Sequence, residues 1–471
     1  MPQRKFTEGP VLKSIIRLAT PIILANMLQT AYQLTDTFWV GRLGKTAVAA
    51  VTASFPVLFL VMALGGGFTI AGSILVAQFH GKGDRNAVNH IAGQTFAVMS
   101  VVALVLAAGG ILLTPYLLKA MGVETAVYAQ AKVYLQWMFA GMLFGFVFMI
   151  FQSLMRGTGD VRTPLFIVAF TVLLNLVLDP LFIFGYGDFP ALGVRGAALA
   201  TMITQGLSSL AGLYLLWHGK RSIHIRFKHF RPDWPLIRHM FRLGIPATVE
   251  QSTRAGGMTA MIFLVSGFGT LAMATYGIGM RITSFVIIPA LGLSMATSAL
   301  VGQNLGAGKS ERAVRIARIS SLTGFLALET AGILVMMFAR PLARFFIPGE
   351  PGVIREAQIF LHIVAWSYGF IGMQMAQNGA FRGSGNPKLS MLLSILTLWV
   401  LRLPLAFLLS HYTALDMRGI WWSFPISNLV AAAVALYWFY FKPWHKRRLT
   451  REVSMQIRVG NESIIEEGWE D

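Results

Sequence analysis

Long apolar runs alternate with short polar breaks along the chain, and the runs suit a bilayer better than the core of a soluble domain. Twelve helices can be drawn on this pattern, near residues 12–40, 46–78, 87–114, 125–152, 161–187, 194–217, 236–266, 270–303, 311–338, 353–380, 388–410 and 418–441. Each reaches the roughly 20 residues that a membrane-spanning helix needs, and the longer ones are expected to tilt or to project beyond the hydrocarbon. Between the sixth and seventh runs lies HGKRSIHIRFKHFRPDWPLIRH, which is basic and has no apolar periodicity. The pattern therefore predicts an N-terminal six-helix lobe over 1–218, a cytoplasmic basic linker over 219–235, a C-terminal six-helix lobe over 236–441 and a cytoplasmic tail over 442–471.

Composition agrees with this reading. Of 471 residues 55% are hydrophobic and 13% charged, against roughly 25% charged in a soluble protein. The absence of cysteine rules out disulfides and thiolate metal sites. The first apolar segment is too long for the core of a cleavable signal. The formal charge of +19 could suggest nucleic acid, but the basic residues sit in alternate loops. One set holds Arg4, Lys5 and Lys13; Lys82 and Arg85; Arg156 and Arg162; Lys220, Arg221, Arg226, Lys228 and Arg231; Lys309, Arg312 and Arg315; Arg382 and Lys388; and Lys446, Arg447 and Arg448. The intervening loops are poorer. By the positive-inside rule the rich set is cytoplasmic, which predicts a multi-pass protein of the cell (inner) membrane with both termini inside. A lipid bilayer is then the expected partner, nucleic acid is not, and the protein is expected to work as a monomer.

The two halves repeat. RLATP at 17–21 recurs as RLGIP at 242–246, an offset of 225, and at that offset Gly44 meets Gly269 and Gln78-x-x-Gly81-x-Gly83 meets Gln303-x-x-Gly306-x-Gly308. Within two residues of it, Arg156-Gly-Thr-Gly-Asp160 meets Arg382-Gly-Ser-Gly-Asn386, and Arg195-Gly196 meets Arg418-Gly419. Two six-helix bundles in the same orientation predict a pseudo-twofold axis along the membrane normal, with a cavity between lobes. The fold class expected is an all-α integral membrane protein of twelve transmembrane helices in two pseudo-twofold-related bundles.

The halves differ where chemistry is concentrated. In the fifth apolar run, Asp179 stands immediately before Pro180 and Asn175 lies one turn earlier, so the two polar side chains share a helix face. Pro180 has no N–H, which leaves the Leu176 carbonyl without its usual partner. A carboxylate at that depth costs a few kcal/mol on insertion scales, about 3 for Asp, and marks a pathway or cavity. In the second half Asp36 is replaced by Met261, Asn175 by Trp399, Asp179 by Leu403 and Thr201 by Phe424, while the proline recurs as Pro404. At 1.5 Å per residue, Asp36, Asp179, Tyr134 and Thr201 all fall about 7–12 Å below the outer ends of their helices. Two carboxylates in a low dielectric cannot both stay ionised cheaply, so they should take up a proton or bind a cation. Carboxylate, amide and hydroxyl oxygens also suit a hard ion such as sodium.

The second lobe has its own candidates in Glu250, Arg254, Arg281, Glu329 and Arg402. Glu250 and Arg254 are spaced for an ion pair on one helix face; Arg281 and Arg402 are expected to use Glu329 or backbone carbonyls. Gly65-Gly66-Gly67 and Gly141-x-x-x-Gly145 read as close helix packing rather than nucleotide binding. No ATP-binding motif or nucleophile–base spacing is visible, so no enzyme activity and no cofactor are expected, and an ion gradient is the expected energy source.

The segments PIILANMLQTAYQLTDTFWVGRLG, RGTGDVRTP and NLVLDP together resemble the multidrug and toxic compound extrusion (MATE) family over roughly residues 10–440. The resemblance implies a twelve-helix antiporter, coupled to H+ or Na+, that expels lipophilic organic cations. It maps that family's N-lobe cation site onto Asp36, Asn175, Asp179 and Thr201, with Tyr134 adjacent. Some members similar to the NorM branch also use C-lobe acids; the missing C-lobe carboxylate partner here favours a DinF-like or archaeal-type arrangement. The alternative is a lipid-precursor flippase of the same superfamily, for which the C-lobe arginines would serve an anionic headgroup.

Overall fold

The computed structural model describes residues 6–187, 190–219, 222–446, 449, 450 and 452. Arg4, Lys5, Lys220, Arg221, Arg447 and Arg448 of the basic pattern, and the tail from residue 453 onward, lie outside the described residues. Within them the chain is helical: α1 (Val11–Gly41), α2 (Lys45–Lys82), α3 (Arg85–Ala120), α4 (Thr125–Thr158), α5 (Arg162–Phe184), α6 (Val194–His218), α7 (Trp234–Ser266), α8 (Gly269–Gly306), α9 (Ser310–Met337), α10 (Ala339–Phe346), α11 (Pro351–Ala365), α12 (Tyr368–Gly383), α13 (Pro387–Ile395), α14 (Leu403–His411) and α15 (Met417–Phe441). Ten spans stand as single long helices, and α11 with α12 forms an eleventh with a 50° bend. The remaining long helix, α7, is not apolar enough to count as a span by composition alone, its run being interrupted at 250–254 by EQSTR, so ten to eleven spans stand among the described residues. The twelve-helix all-α architecture predicted from the apolar pattern is the one observed.

Three details differ from the pattern. The predicted helix 353–380 is broken because Ser367 turns both its N–H and its hydroxyl onto the Val364 carbonyl, at 3.1 and 2.8 Å. That carbonyl is taken out of the regular ladder, and the chain restarts as α12. The predicted helix 388–410 contains a π-helical stretch, Leu396–Arg402, just before Pro404, where the missing proline N–H already disrupts the regular spacing. A further short helix, α10, lies in the predicted loop after α9; Ala339 and Ala343 form its buried face.

The chain divides into two compact units. The first comprises residues 24–248, joined by 449, 450 and 452; the second comprises residues 6–23 and 249–446. In the first unit α4 is central, packing on α2, α3 and α6, while α5 packs on α6. Its core includes the fully buried rings of Phe139, Phe146 and Phe151. Small residues allow the close approach that membrane helices require. A Cβ on Gly65 would lie 2.0 Å from the Phe146 ring, and one on Gly141 would lie 2.9 Å from Met202. In the second unit α12 packs on α8 and α9. There a Cβ on Gly379 would meet the Ser294 carbonyl oxygen at 2.2 Å, and one on Gly372 the Gly324 carbonyl oxygen at 2.1 Å. The repeat also has a backbone cause: Gly159 and Gly385 occupy matching left-handed positions at φ 88° and 84° and end α4 and the turn after α12.

The stretch after α6 is not a free connection. Gln94 on α3 donates to the carbonyls of His229 and Arg231 and accepts from the Asp233 N–H, while Asn89 accepts from the His224 N–H at 2.8 Å. His90 donates to Asp233 at 2.9 Å, and Asp233 in turn caps α7 by accepting from the Leu236 N–H at 3.1 Å. The His90 hydrogen bond holds the Asp233 carboxyl below the usual carboxylate range against the opposing effect of partial burial, with the Leu236 N–H assisting.

Two outcomes follow. Gly379→Val should lower the melting temperature of the detergent-purified protein, since overpacking costs about 1–3 kcal/mol; Gly277→Ala, with open space around it, should not. A depressed carboxyl stabilises the fold above its unfolded value of about 4 and loses that contribution as pH falls through the folded value. Amide exchange over 224–233 should therefore accelerate below about pH 4, and Asp233→Asn should remove that acid step.

Candidate functional site

The polar set of the first unit is built from three helices. On α1, Tyr32 and Asp36 stand one turn apart and share a face. Both are half-buried, and the Oδ1 atom of Asp36 is shielded from solvent with no hydrogen-bond partner. On α5, Asn175 and Asp179 are fully buried. Asn175 Nδ2 donates to Asp179 Oδ1 at 2.9 Å, which leaves Asn175 Oδ1 and Asp179 Oδ2 unpartnered. On α6, Thr201 accepts from the Tyr32 hydroxyl at 3.0 Å. Tyr134 of α4 lies buried beside them in an apolar shell with Val40, Ala47, Ile183, Val194, Ala197 and Ala198.

Local backbone geometry fixes this arrangement. The α5–α6 connection doubles back so that the Leu192 and Gly193 N–H groups donate to the carbonyls of Phe182 and Ile183, each at 3.0 Å. Gly196 permits the close approach, because a Cβ there would sit 2.2 Å from the Phe182 carbonyl oxygen. Asp179 and Asp36 are near enough to repel one another, and both act electrostatically on Tyr32 and Tyr134. The structure thus brings together the predicted Asp36, Asn175, Asp179, Thr201 and Tyr134, with Pro180 inside α5 beside Asp179. Three shielded oxygens without donors are chemically incomplete. One hard cation placed among them would take all three as ligands, and one proton would satisfy the oxygen that carries it and a single acceptor.

Sequence reasoning overlooked Tyr32, although its spacing from Asp36 is the signal that pairs Asn175 with Asp179. It also overlooked Thr204, which lies within interaction range of the Tyr32 hydroxyl.

The second-unit candidates do not assemble into one site. Arg254 donates to Glu250 at 2.9 Å within α7. Glu329 accepts from the Gly369 N–H at 2.9 Å and so caps the start of α12 at the helix break. Arg402 does not use Glu329 or a backbone carbonyl as expected: it donates to Ser427 and Asn428 and lies 4.5 Å above the Phe424 ring. The π-helical turn presents it to α15, away from α9. Arg281 is exposed.

A duplicated helical membrane protein with a shielded two-carboxylate cluster in one half is a polytopic transporter fold. The MatE family model matches residues 21–181 and again 246–408, and the starts of the two matches differ by 246 − 21 = 225, the offset of the internal repeat. The chain belongs to this family, the MATE transporters. It is 30% identical to the probable multidrug resistance protein YoeA of Bacillus subtilis (strain 168), over 95% of this chain and 97% of that one. It is 27% identical to the FAD transporter of Shewanella oneidensis, over 91% and 94%. Among solved structures, a MATE protein in complex with MaD3S superposes with a TM-score of 0.87 at 25% identity, covering 97% of this chain and 99% of that one. A MOP-superfamily transporter from Pyrococcus furiosus, described as having a binding pocket of reverse polarity, matches with the same TM-score at 26% identity and the same coverage.

Tyr32→Phe removes the hydroxyl that ties α1 to α6. Its expected cost is about 1 kcal/mol, read as a lower melting temperature; Thr201→Val should produce a similar loss, and the double variant should lose little more than either alone.

Proposed function

We propose that this chain is a secondary antiporter of the cell (inner) membrane, working as a monomer with both termini in the cytoplasm. It exports lipophilic, cationic organic compounds in exchange for H+ or Na+ by alternating access. The observation that carries this reading is the set of unpartnered, shielded oxygens on Asp36, Asn175 and Asp179. In the outward-facing state Asp36 and Asp179 take up the coupling ion, with Asn175 and Thr201 supplying neutral oxygens. Occupancy relieves the repulsion between the two carboxylates, changes the bend of α5 at Pro180 and reshapes the substrate cavity so that cargo leaves outward. The ion is released inward as the protein resets. A ligand can shift the two states only by its differential affinity for them, so the imposed gradient supplies the energy. The likeness to probable multidrug resistance proteins supports the substrate class.

A second reading is favoured by the FAD transporter relative: an anionic cargo, for which the exposed Arg281 would supply charge. A lipid-precursor flippase is the related alternative and would also favour an anion.

Efflux from proteoliposomes separates these readings, with proton and sodium gradients imposed one at a time and ethidium, FAD or a fluorescent phospholipid as cargo. The expected result is gradient-driven ethidium efflux. Asp36→Asn and Asp179→Asn should each reduce it about tenfold or more, as loss of a charged contact worth about 1.5–3 kcal/mol implies, with unchanged abundance in the membrane. Wild-type efflux by both variants contradicts the assignment, and movement of FAD or lipid alone replaces the substrate class.

A further inference from the structure

The internal repeat points to a second site, because one of its ion pairs is present in one half and missing in the other. In the second unit Arg418, at the start of α15, donates to Glu356 of α11 through both Nε and Nη2, at 3.3 and 2.8 Å. Arg195-Gly196 is the counterpart of Arg418-Gly419 in the first half. The counterpart of Glu356 follows from the offset that relates Arg156 to Arg382 farther along the same pair of segments: 382 − 156 = 226, and 356 − 226 = 130, which is Gln130. The carboxylate has become an amide. No acceptor for the Arg195 guanidinium is present among the described residues.

Arg195 and Gln130 are both exposed, so a ligand reaches them directly from solvent. Arg195 and Gln130 line one cavity of about 350 Å³ within the first unit, whose apolar walls include Leu43, Val133, Leu192 and Val194. That volume lies in the range of small-ligand sites. The cavity opens at the start of α6, where Gly193 precedes the first helical residue, so the helix dipole adds to the positive potential supplied by Arg195. A guanidinium fork, an amide donor and the start of a helix all favour an oxyanion, and the apolar walls accept a hydrocarbon substituent.

We propose that this cavity binds a phosphate oxyanion, with Arg195 and Gln130 as its donors, at the place where the second unit supplies its own carboxylate from Glu356. The bound group substitutes for the missing internal partner and ties the start of α4 to the start of α6. Its lining shares Ala47 and Val194 with the apolar shell around Tyr134, but its donors are not Asp36 or Asp179, and binding is independent of which ion drives transport. The phosphate can belong to a lipid headgroup or be free in solution.

The test uses the purified full-length protein and two probes, dihexanoyl phosphatidylglycerol and inorganic phosphate, titrated calorimetrically against wild type, Arg195→Gln, Gln130→Glu and, as a control, Arg418→Gln. Gln130→Glu is nearly isosteric and recreates the ion pair of the other half. It should therefore close the site without disturbing the fold. Binding of at least one probe to wild type and to Arg418→Gln is expected, weakened about tenfold or more in both Arg195→Gln and Gln130→Glu, the loss expected when a charged hydrogen bond is removed. Binding of the lipid probe alone assigns the phosphate to a headgroup, and binding of inorganic phosphate assigns it to a free anion. Failure of both probes to bind wild type, or undiminished binding by Gln130→Glu or Arg195→Gln, overturns the proposal.

Discussion

An unpaired carboxylate oxygen is expensive inside an apolar bundle, and the first half of this protein contains two carboxylates that its own donors do not satisfy. Asn175 offers a single N–H to Asp179, and Asp36 Oδ1 receives none. Helix formation does not require acids at these positions, since the second half carries Met261 within α7 and Leu403 at the start of α14 in their places. The chain therefore carries a local destabilisation that an added proton or cation removes. The surrounding features hold that arrangement in place: the doubled-back α5–α6 turn, the Gly196 approach, the Tyr32–Thr201 bond and the apolar shell around Tyr134.

The second half handles charge differently. Its half-buried arginine, Arg402, is held by Ser427, Asn428 and the Phe424 ring, Glu250 is paired to Arg254 within one helix, and Glu329 is used to cap a broken helix. There each of these charges meets a partner within the chain, although Glu250 Oε2 stays shielded and without a hydrogen bond, whereas in the first half two carboxylates lie near one another with no cationic partner among the described residues. Duplication supplied one scaffold twice, and the polar substitutions on it divide the labour. A similar contrast recurs at the starts of α15 and α6, where Arg418 has Glu356 and Arg195 has Gln130.

Much of this was legible in the sequence. Apolar run lengths place the helices, because a bilayer imposes both a minimum length and internal hydrogen bonding. The repeat offset locates equivalent positions, and the i, i+4 spacing of Asn175 and Asp179 pairs their side chains. The features that escaped are set by tertiary choice. Whether Ser367 bonds Val364 and breaks a helix, or points elsewhere, depends on its neighbours. The docking of the basic stretch on α3 uses Gln94, which makes three bonds to a segment 135–139 positions away, together with Asn89 and His90. Arg402 found hydroxyl and amide partners because a π-helical turn aimed it at α15, and no periodicity in the sequence announces that turn.

Infrared difference spectroscopy of the reconstituted protein, recorded across a pH titration with and without sodium, tests the central claim most directly. The account predicts a carboxyl stretching band from a protonated aspartate in the wild-type protein, shifted on isotopic labelling of aspartate and altered or removed by either Asp36→Asn or Asp179→Asn. A spectrum that titrates identically in the wild type and both variants would contradict it.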